Sequence, residues 1–267
     1  MFESYIPFPH IDPVAFTVGP LAVRWYALAY VTGVLFCWQY SRWIIKRYPA
    51  LGIPPEKFDD LISWAIPALV IGGRLGYVLF YQFDYYAAHP LDTLKIWKGG
   101  MSFHGGIVGV MMGFYLFSRL HHVSFLRMLD LVSLGVPLGV FLGRMTNFIN
   151  GELYGRITDV PWAVLFPAGG YLPRHPSQLY EAVLEGLLIL IVLNVLFWRT
   201  RMIQRPGQLV GVGLMLYAGG RFVVEFFREP DAQLGFVWQM LTMGQILSIP
   251  YALLGLFLVL RPRFQRP

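Results

Sequence analysis

The chain reads LLILIVLNVLFW from Leu187 to Trp198, a run that carries no charge and in which Asn194 is the single polar residue. The surrounding segment, 178–198, is long enough for a helix to cross a hydrocarbon core of about 30 Å, because an α-helix rises about 1.5 Å per residue. Similar, mostly apolar segments stand at 18–43, 58–83, 103–117, 126–142, 209–227 and 240–260. Together they predict an all-α, polytopic membrane protein with about seven transmembrane helices.

The composition supports this fold class. Of the 267 residues, 56% are hydrophobic and 13% are charged, whereas soluble domains are about 25% charged. One cysteine, Cys37, excludes an internal disulfide and a cysteine-based metal cage. Its apolar surroundings disfavour a thiolate, so we do not expect Cys37 to be a nucleophile. Residues 1–16 include Glu3 and Asp12 but no basic residue, so the first apolar segment is not expected to be a cleaved signal peptide.

Lysine and arginine residues are distributed unevenly between alternate loops. One set of loops holds twelve and the other holds six. Because basic loops stay on the cytoplasmic side, the N-terminus is expected to be periplasmic and the C-terminus cytoplasmic. The net charge of +6 then reflects these loops and predicts no nucleic-acid partner. The longest connection, 143–177, falls outside and predicts a small extracytoplasmic cap on a single integral-membrane domain, 1–267.

Several ionisable residues lie in or beside the predicted spans, where such groups are costly and point to function. On this topology they share one depth near the outer side and predict a single polar cavity there: Arg24, Arg74, His104, Arg144, His175, Arg221 and Glu225. Arg24 is expected inside the first span, roughly 9 Å deep at 1.5 Å per residue.

Some of these residues have structural alternatives. Arg24 could only extend to the interface, and Arg74 could be a structural ion-pair partner. Arg221 and Glu225 are four residues apart, which favours a local salt bridge. Arg228 is expected to mark the membrane interface.

Glycines recur at four-residue spacing in three of the segments. Such ladders let helix backbones approach closely in lipid, and two of them end beside His104 and Arg144. The ladders are Gly105, Gly109 and Gly113; Gly135, Gly139 and Gly143; and Gly72 with Gly76.

The most specific motif is GRMTNFINGELYG at 143–155, where the fourth span is expected to end. Its dense hydrogen-bonding groups suit an anionic, polyhydroxyl ligand. The motif resembles the signature of the prolipoprotein diacylglyceryl transferase family, with Thr146 in place of the usual Gly or Ala. Three further segments resemble the same family: MSFHGG at 101–106, RHPSQLYE at 174–181, and 217–230. The tripeptide RWY at 24–26 takes the place of the family's first-helix tyrosine.

This resemblance implies a bacterial inner-membrane enzyme with its active site facing the periplasm. Such enzymes transfer the diacylglyceryl group of phosphatidylglycerol to the lipobox cysteine thiol of a prolipoprotein signal peptide. A thioether forms and glycerol phosphate leaves, in the first step of lipoprotein maturation. No cofactor or metal is implied, and the partners are the two substrates and membrane lipid.

The residues can be assigned roles on this basis. Arg144 and Arg221 are expected at the head group and leaving phosphate, because guanidinium groups match phosphate oxygens and keep their proton. His104 is the candidate base for the thiol, with a hydrogen-bonding or phosphate-contacting role as the alternative. The remaining substrate-site candidates are Tyr26, Asn147, Asn150, Glu152, Gly155, His175, Tyr217 and Glu225. The first four would orient the glycerol hydroxyls or hold the arginines, Gly155 would give the chain room to turn, and His175 has a structural role as its alternative.

Two other functional classes compete with this interpretation. Intramembrane arginines and glycine-rich helices would also serve an anion or lipid transporter, or a protein that presents lipid without chemistry. Polar residues at one depth favour the enzyme, since a transport path needs polar lining through the membrane.

Overall fold

The computed structural model describes residues 5–229, 236–237 and 241–261. The predicted features at Glu3, Pro230, Met240, Arg263 and Arg266 lie outside these ranges. By backbone contacts the chain divides into two compact units. Unit 1 comprises 1–41 and 129–267, and unit 2 comprises 42–128.

Helices dominate the described residues. They are α1 Trp25–Arg47, α2 Pro55–Tyr81, α3 Phe83–Ala88, α4 Phe103–Leu120, α5 Phe125–Ser133, α6 Val136–Ile149, α7 Ser177–Arg199, α8 Gln208–Val224 and α9 Met243–Leu260. Single 3₁₀ turns stand at Pro49–Leu51, Pro90–Leu94, Ile96–Lys98, Pro167–Gly169 and Met202–Gln204. A helix therefore occurs at each of the seven predicted positions.

Short strands form three two-stranded sheets within unit 1. β1 (Ile6–Pro7) pairs in parallel with β4 (Val164–Leu165). β2 (Val14–Val18) and β3 (Leu21–Arg24) form an antiparallel hairpin. β5 (Phe236–Val237) pairs with β6 (Leu241–Thr242), directly before α9.

Three of the described helices are long and apolar enough to cross a membrane: α2, α7 and α9. α5 and α6 form a fourth span if their 44° bend is counted as one broken helix, and α8 is apolar but shorter. These features are those of a mostly helical membrane protein.

In unit 2, the predicted glycine ladders bring α2 and α4 into backbone contact. A Cβ added to Gly72 would lie 2.6 Å from the Cα of Gly109, and one added to Gly105 would lie 2.9 Å from the Cα of Gly76. Since real Cβ atoms do not approach so closely, this packing requires glycine at both ladders.

In unit 1, the other ladder is used only in part. A Cβ on Gly135 would lie 2.7 Å from the Cα of Cys37, and Gly33 faces Gly139 in the same way. Gly143 has no atom within 4 Å of a Cβ position. The ladder therefore packs α1 against α6 but ends one turn earlier than its spacing predicts.

Two predicted boundaries were wrong. Arg24 is not inside the first span, because residues 14–24 form the β2–β3 hairpin and α1 begins at Trp25. The Gly19–Pro20 turn, with Gly19 at φ 59°, reverses the chain within an apolar run that we predicted as helix. The fourth span does not end before Arg144 either, since α6 continues to Ile149.

Candidate active site

A π-helical segment of α7, Ala182–Leu187, places two acidic side chains within unit 1. Glu181 precedes it and Glu185 lies inside it, and both side chains are fully buried. Wide helical turns of this kind are rare and are frequently found at functional sites. A Cβ on Gly186 would lie 2.7 Å from the Cα of Phe141, so this glycine allows α7 to approach α6 closely.

Arg144 reaches these two carboxylates from α6. Its Nη1 lies 3.1 Å from Glu181 Oε2, and its Nη2 donates to Glu185 Oε2 at 3.1 Å. One guanidinium group thus bridges two acids on the facing helix. Because Arg144 lies within α6 rather than after it, its position is set by a rigid element.

Arg221 approaches the same acids from α8. Its Nη1 donates to Glu181 Oε1 at 2.7 Å and lies 3.7 Å from Glu185 Oε1. Its Nη2 forms the predicted i, i+4 salt bridge with Glu225. A Cβ on Gly244 would lie 2.5 Å from Glu225 Cδ, so the Glu225 carboxylate occupies space that a larger residue in α9 would fill.

Arg228 completes the group. Its Nη1 donates to Glu181 Oε1 at 2.8 Å, and the residue is buried. The expectation that Arg228 marks the membrane interface was therefore wrong, because it ends the turn after α8 facing an acid rather than solvent. We call Arg144, Arg221, Arg228, Glu181, Glu185 and Glu225 the arginine–glutamate cluster.

The cluster is electrically balanced but unequally exposed. Its three arginines and three glutamates cancel in formal charge. The side chains of Arg144 and Arg221 are 21% and 16% exposed, whereas Glu181 and Glu185 are 0% exposed. A ligand that reaches the cluster therefore meets the arginine side chains before these two carboxylates, and guanidinium groups suit a phosphate.

A second group of polar residues surrounds Glu152, which lies just after the end of α6 and beside the start of α7. Asn147 Nδ2 and Asn150 Nδ2 donate to Glu152 Oε1 at 2.8 Å and 3.0 Å. Gln178 Nε2 donates to the Glu152 backbone oxygen at 2.6 Å. The structure thus brings together the three predicted residues Asn147, Asn150 and Glu152.

Position 155 requires glycine because neighbouring atoms leave no room for a side chain. A Cβ there would lie 2.5 Å from the Phe227 carbonyl oxygen and 2.7 Å from His175 Cβ. The Gly155 N–H donates to the His175 carbonyl at 2.8 Å, and the Arg156 N–H donates to the Phe227 carbonyl at 2.8 Å. These bonds hold the segment after α6 against the chain that follows α8.

His175 lies in this layer and is partly buried. Its Nδ1 lies 3.1 Å from the Tyr180 hydroxyl, and its ring packs edge-on against Phe227. Burial lowers the pKa of His175 below its ordinary value, because a charged imidazolium loses hydration there. These contacts also fit the structural role that is the alternative for His175.

The two predicted tyrosines are also placed on helices of unit 1. Tyr26 is in the first turn of α1, is exposed, and has its hydroxyl 3.0 Å from that of Tyr30. Tyr217 is on α8, one turn before Arg221, and packs edge-on against Tyr251 of α9.

His104 and Arg74 belong to unit 2. His104 is exposed in the first turn of α4, which Ser102 caps by accepting the Gly105 N–H at 3.2 Å. Arg74 is buried and donates to five backbone carbonyls between positions 92 and 100, at 2.6–3.3 Å. It therefore anchors the segment that precedes α4, and its acceptors are carbonyls rather than the ion-pair partner we considered.

Sequence reasoning missed Glu181 and Glu185. Glu181 ends the RHPSQLYE segment, but it received no role. A signal was available, since two acids four residues apart inside an apolar span need buried cations as partners. Among the described residues, no group of three or more His, Cys, Asp or Glu side chains is placed to hold a metal ion.

Comparison with known proteins gives one consistent result. A family model described as prolipoprotein diacylglyceryl transferase matches residues 13–261. A protein of Brucella ovis is 50% identical over 272 aligned positions, covering 98% of this chain and 97% of the relative. One of Brucella anthropi is 49% identical with the same coverage. Both relatives are named phosphatidylglycerol–prolipoprotein diacylglyceryl transferase.

Proposed function

The chain belongs to the prolipoprotein diacylglyceryl transferase family, and from this we propose that it moves the diacylglyceryl group of phosphatidylglycerol onto a prolipoprotein. The acceptor is the thiol of a lipobox cysteine in the signal peptide. The names of the relatives and the resemblance of the motifs along the whole chain support this activity.

The observation that carries the proposal is the convergence of Arg144 and Arg221 on shared buried carboxylates. Two partly exposed guanidinium groups are held by rigid helices α6 and α8. Such groups bind phosphate oxygens in pairs and do not lose their proton at any physiological pH. They would bind the phosphodiester of the donor and stabilise the charge that builds on it.

The reaction has one bond made and one bond broken. The thiol gives its proton to a base, and the sulfur bonds to the carbon of the diacylglyceryl group that carries the phosphate. The bond from that carbon to the phosphate oxygen breaks, its electron pair stays on the oxygen, and glycerol phosphate leaves. A thiol pKa of about 8.5 means that a nearby base suffices to form the thiolate.

We assign His104 as this base. An imidazole that is exposed in the first turn of a helix is suited to accept a thiol proton. The Glu152 group, with Asn147 and Asn150, would orient the glycerol hydroxyls, and Tyr26, Gly155, His175, Tyr217 and Glu225 would complete the substrate site.

The topology belongs to the proposal as well. Seven spans in the bacterial inner membrane, with the N-terminus periplasmic and the C-terminus cytoplasmic, would place the predicted cap, 143–177, outside. Because α6 continues to Ile149 and α7 begins at Ser177, the part of this cap between helices is 150–176. The charge distribution of the loops supports this orientation.

The direct test incubates the purified protein with phosphatidylglycerol and a lipobox peptide. Mass spectrometry should show a gain of one diacylglyceryl unit on the peptide and the release of glycerol phosphate. A peptide with Ser in place of the lipobox Cys is the control and should gain nothing. Absence of the adduct with correctly folded protein would exclude the transferase.

The role of His104 is tested by comparing the pH–rate profile of the wild type with that of His104→Gln. We expect turnover to fall by about 10²-fold or more, with loss of the acid limb of the profile. An unchanged rate and profile would remove His104 from the base role while leaving the transferase intact.

A further inference from the structure

We propose that Glu181 is the positioning residue of the candidate active site, setting the direction and spacing of the arginines that receive the phosphate. This inference rests on the proposed transferase activity and adds a residue to which the sequence assigned no role.

One carboxylate serves three cations. Glu181 Oε2 lies 3.1 Å from Arg144 Nη1, and Oε1 accepts from Arg221 at 2.7 Å and from Arg228 at 2.8 Å. The arginines come from α6, from α8 and from the turn after α8. Glu181 is therefore the point at which these three segments are tied together.

The neighbouring acids contact fewer cations. Glu185 pairs closely with Arg144 alone, since its Oε1 lies 3.7 Å from Arg221. Glu225 pairs with Arg221, which lies one helical turn before it. Neither of them pairs closely with both arginines, whereas Glu181 forms an ion pair with Arg144 at 3.1 Å and accepts a hydrogen bond from Arg221 at 2.7 Å.

Burial makes Glu181 unable to act on the substrate directly. Its side chain is fully inaccessible, whereas the side chains of Arg144 and Arg221 are partly exposed. Three guanidinium groups at this distance repel one another unless an anion lies between them. Glu181 thus fixes the arginines while their outward N–H groups stay available to phosphate.

The charge of Glu181 and the length of its side chain contribute separately to the position of the arginines. Two substitutions of Glu181 change one of these properties at a time. Glu181→Gln keeps the size of the side chain but leaves the cluster with one excess positive charge. Glu181→Asp keeps the charge but is one methylene shorter, so it cannot reach all three arginines. Both variants should turn over more slowly, because a small misalignment of positioned groups lowers the rate steeply.

The two variants should differ in anion binding. For Glu181→Gln we expect kcat to fall about tenfold or more, while KM for phosphatidylglycerol and the inhibition constant of glycerol phosphate fall severalfold. For Glu181→Asp we expect a similar fall in kcat with both constants near the wild-type values. A loss of folded protein would lower the apparent kcat but could not change KM or the inhibition constant.

The matched control is Glu229→Gln, which removes the acid from a different Glu–Arg pair. Glu229 lies 3.0 Å from Arg174 and is 48% exposed. We expect this variant to keep the wild-type kcat, KM and inhibition constant.

The experiment measures these three quantities for the wild type and the three variants with the lipobox-peptide assay. Wild-type kcat in Glu181→Gln, or unchanged KM and inhibition constants in it, would overturn the role of Glu181. An inactive wild type would instead contradict the proposed function, so the two failures are distinguishable.

Discussion

Two regions of this protein bury arginines, and they neutralise them differently. In unit 2, Arg74 is surrounded by five backbone carbonyls from one loop segment, and the residue is 4% exposed. In unit 1, Arg144 and Arg221 face side-chain carboxylates from neighbouring helices and remain partly exposed. The residue type is the same in both places, but the acceptors differ.

We infer that this difference separates a structural arginine, Arg74, from arginines that can bind a ligand. Carbonyls that belong to a fixed loop satisfy the donors of Arg74 on every side and leave no place for a ligand. Carboxylates hold Arg144 and Arg221, yet the two side chains remain 21% and 16% exposed. We infer that an intramembrane arginine should be judged by its acceptors and exposure rather than by its depth alone.

The largest effect is expected from Arg144→Ala. If Arg144 stabilises the departing phosphate as proposed, its removal should lower kcat by about 10²-fold or more, with membrane insertion unchanged. The lipobox-peptide assay measures kcat, and Arg42→Ala, which removes a surface ion pair with Asp59, should retain activity. If the Arg144→Ala variant retained activity, Arg144 would not bind the phosphate, and the distinction from Arg74 would be wrong.

Arg74→Met should act on stability instead. It keeps the apolar stem but leaves the carbonyls at positions 92–100 without donors, at a cost of about 3 kcal/mol or more. Thermal unfolding in detergent should show a lower Tm, while the folded fraction keeps the wild-type KM. Arg119→Met, on an exposed face of α4, is the control. A raised KM with an unchanged Tm would move Arg74 into the functional class.

Gly109→Ala extends the comparison to helix packing. An added methyl would overlap the Ala68 carbonyl and lie 2.8 Å from Gly72 Cα, so we expect a loss of about 1–3 kcal/mol. Gly219→Ala in α8 meets nothing within 4 Å and should gain up to about 1 kcal/mol from helix propensity. Equal Tm values for the two variants would show that the α2–α4 contact is looser than the structure indicates.

The smallest effect concerns His175, a basic side chain whose pKa is lowered by burial. Its pKa is lowered in the folded state, so the unfolded chain binds more protons as the pH falls below about 6.5. The stabilising contribution of neutral His175 is present above that value and is lost on acidification. The drop in Tm between pH 7.5 and 5.5 should be smaller in His175→Gln than in the wild type. An equal drop would show that burial of His175 does not govern this dependence.

The sequence predicted most helices because apolar length and period report directly on membrane spans. It failed where an apolar run changes conformation without changing composition. Residues 18–24 belong to a mostly apolar run like those of the predicted spans. The Gly19–Pro20 turn nevertheless folds them into the β2–β3 hairpin. Likewise α6 keeps its helical geometry through Arg144 and Asn147, although their polarity suggested a loop.

The arginines of the candidate site could be predicted from the sequence more easily than its glutamates. Arg144 and Arg221 stand out in the sequence because a charge in a span is unusual. Glu181 and Glu185 lie in a span too, but only the fold shows that the π-helical segment turns both toward the arginines. The role of Arg228 could not be predicted, because it depends on how the chain turns after α8.

The sharing of charges between helices has a consequence for biosynthesis. Arg144 is the single charged residue of α6, and its counter-ions belong to α7. α8 instead has Glu225, a partner for Arg221, at its own C-terminal cap. We therefore expect α6 to enter the bilayer stably only when α7 has emerged from the ribosome. The two helices would then insert as a hairpin, whereas Arg221 of α8 would not need a counter-ion from a later helix.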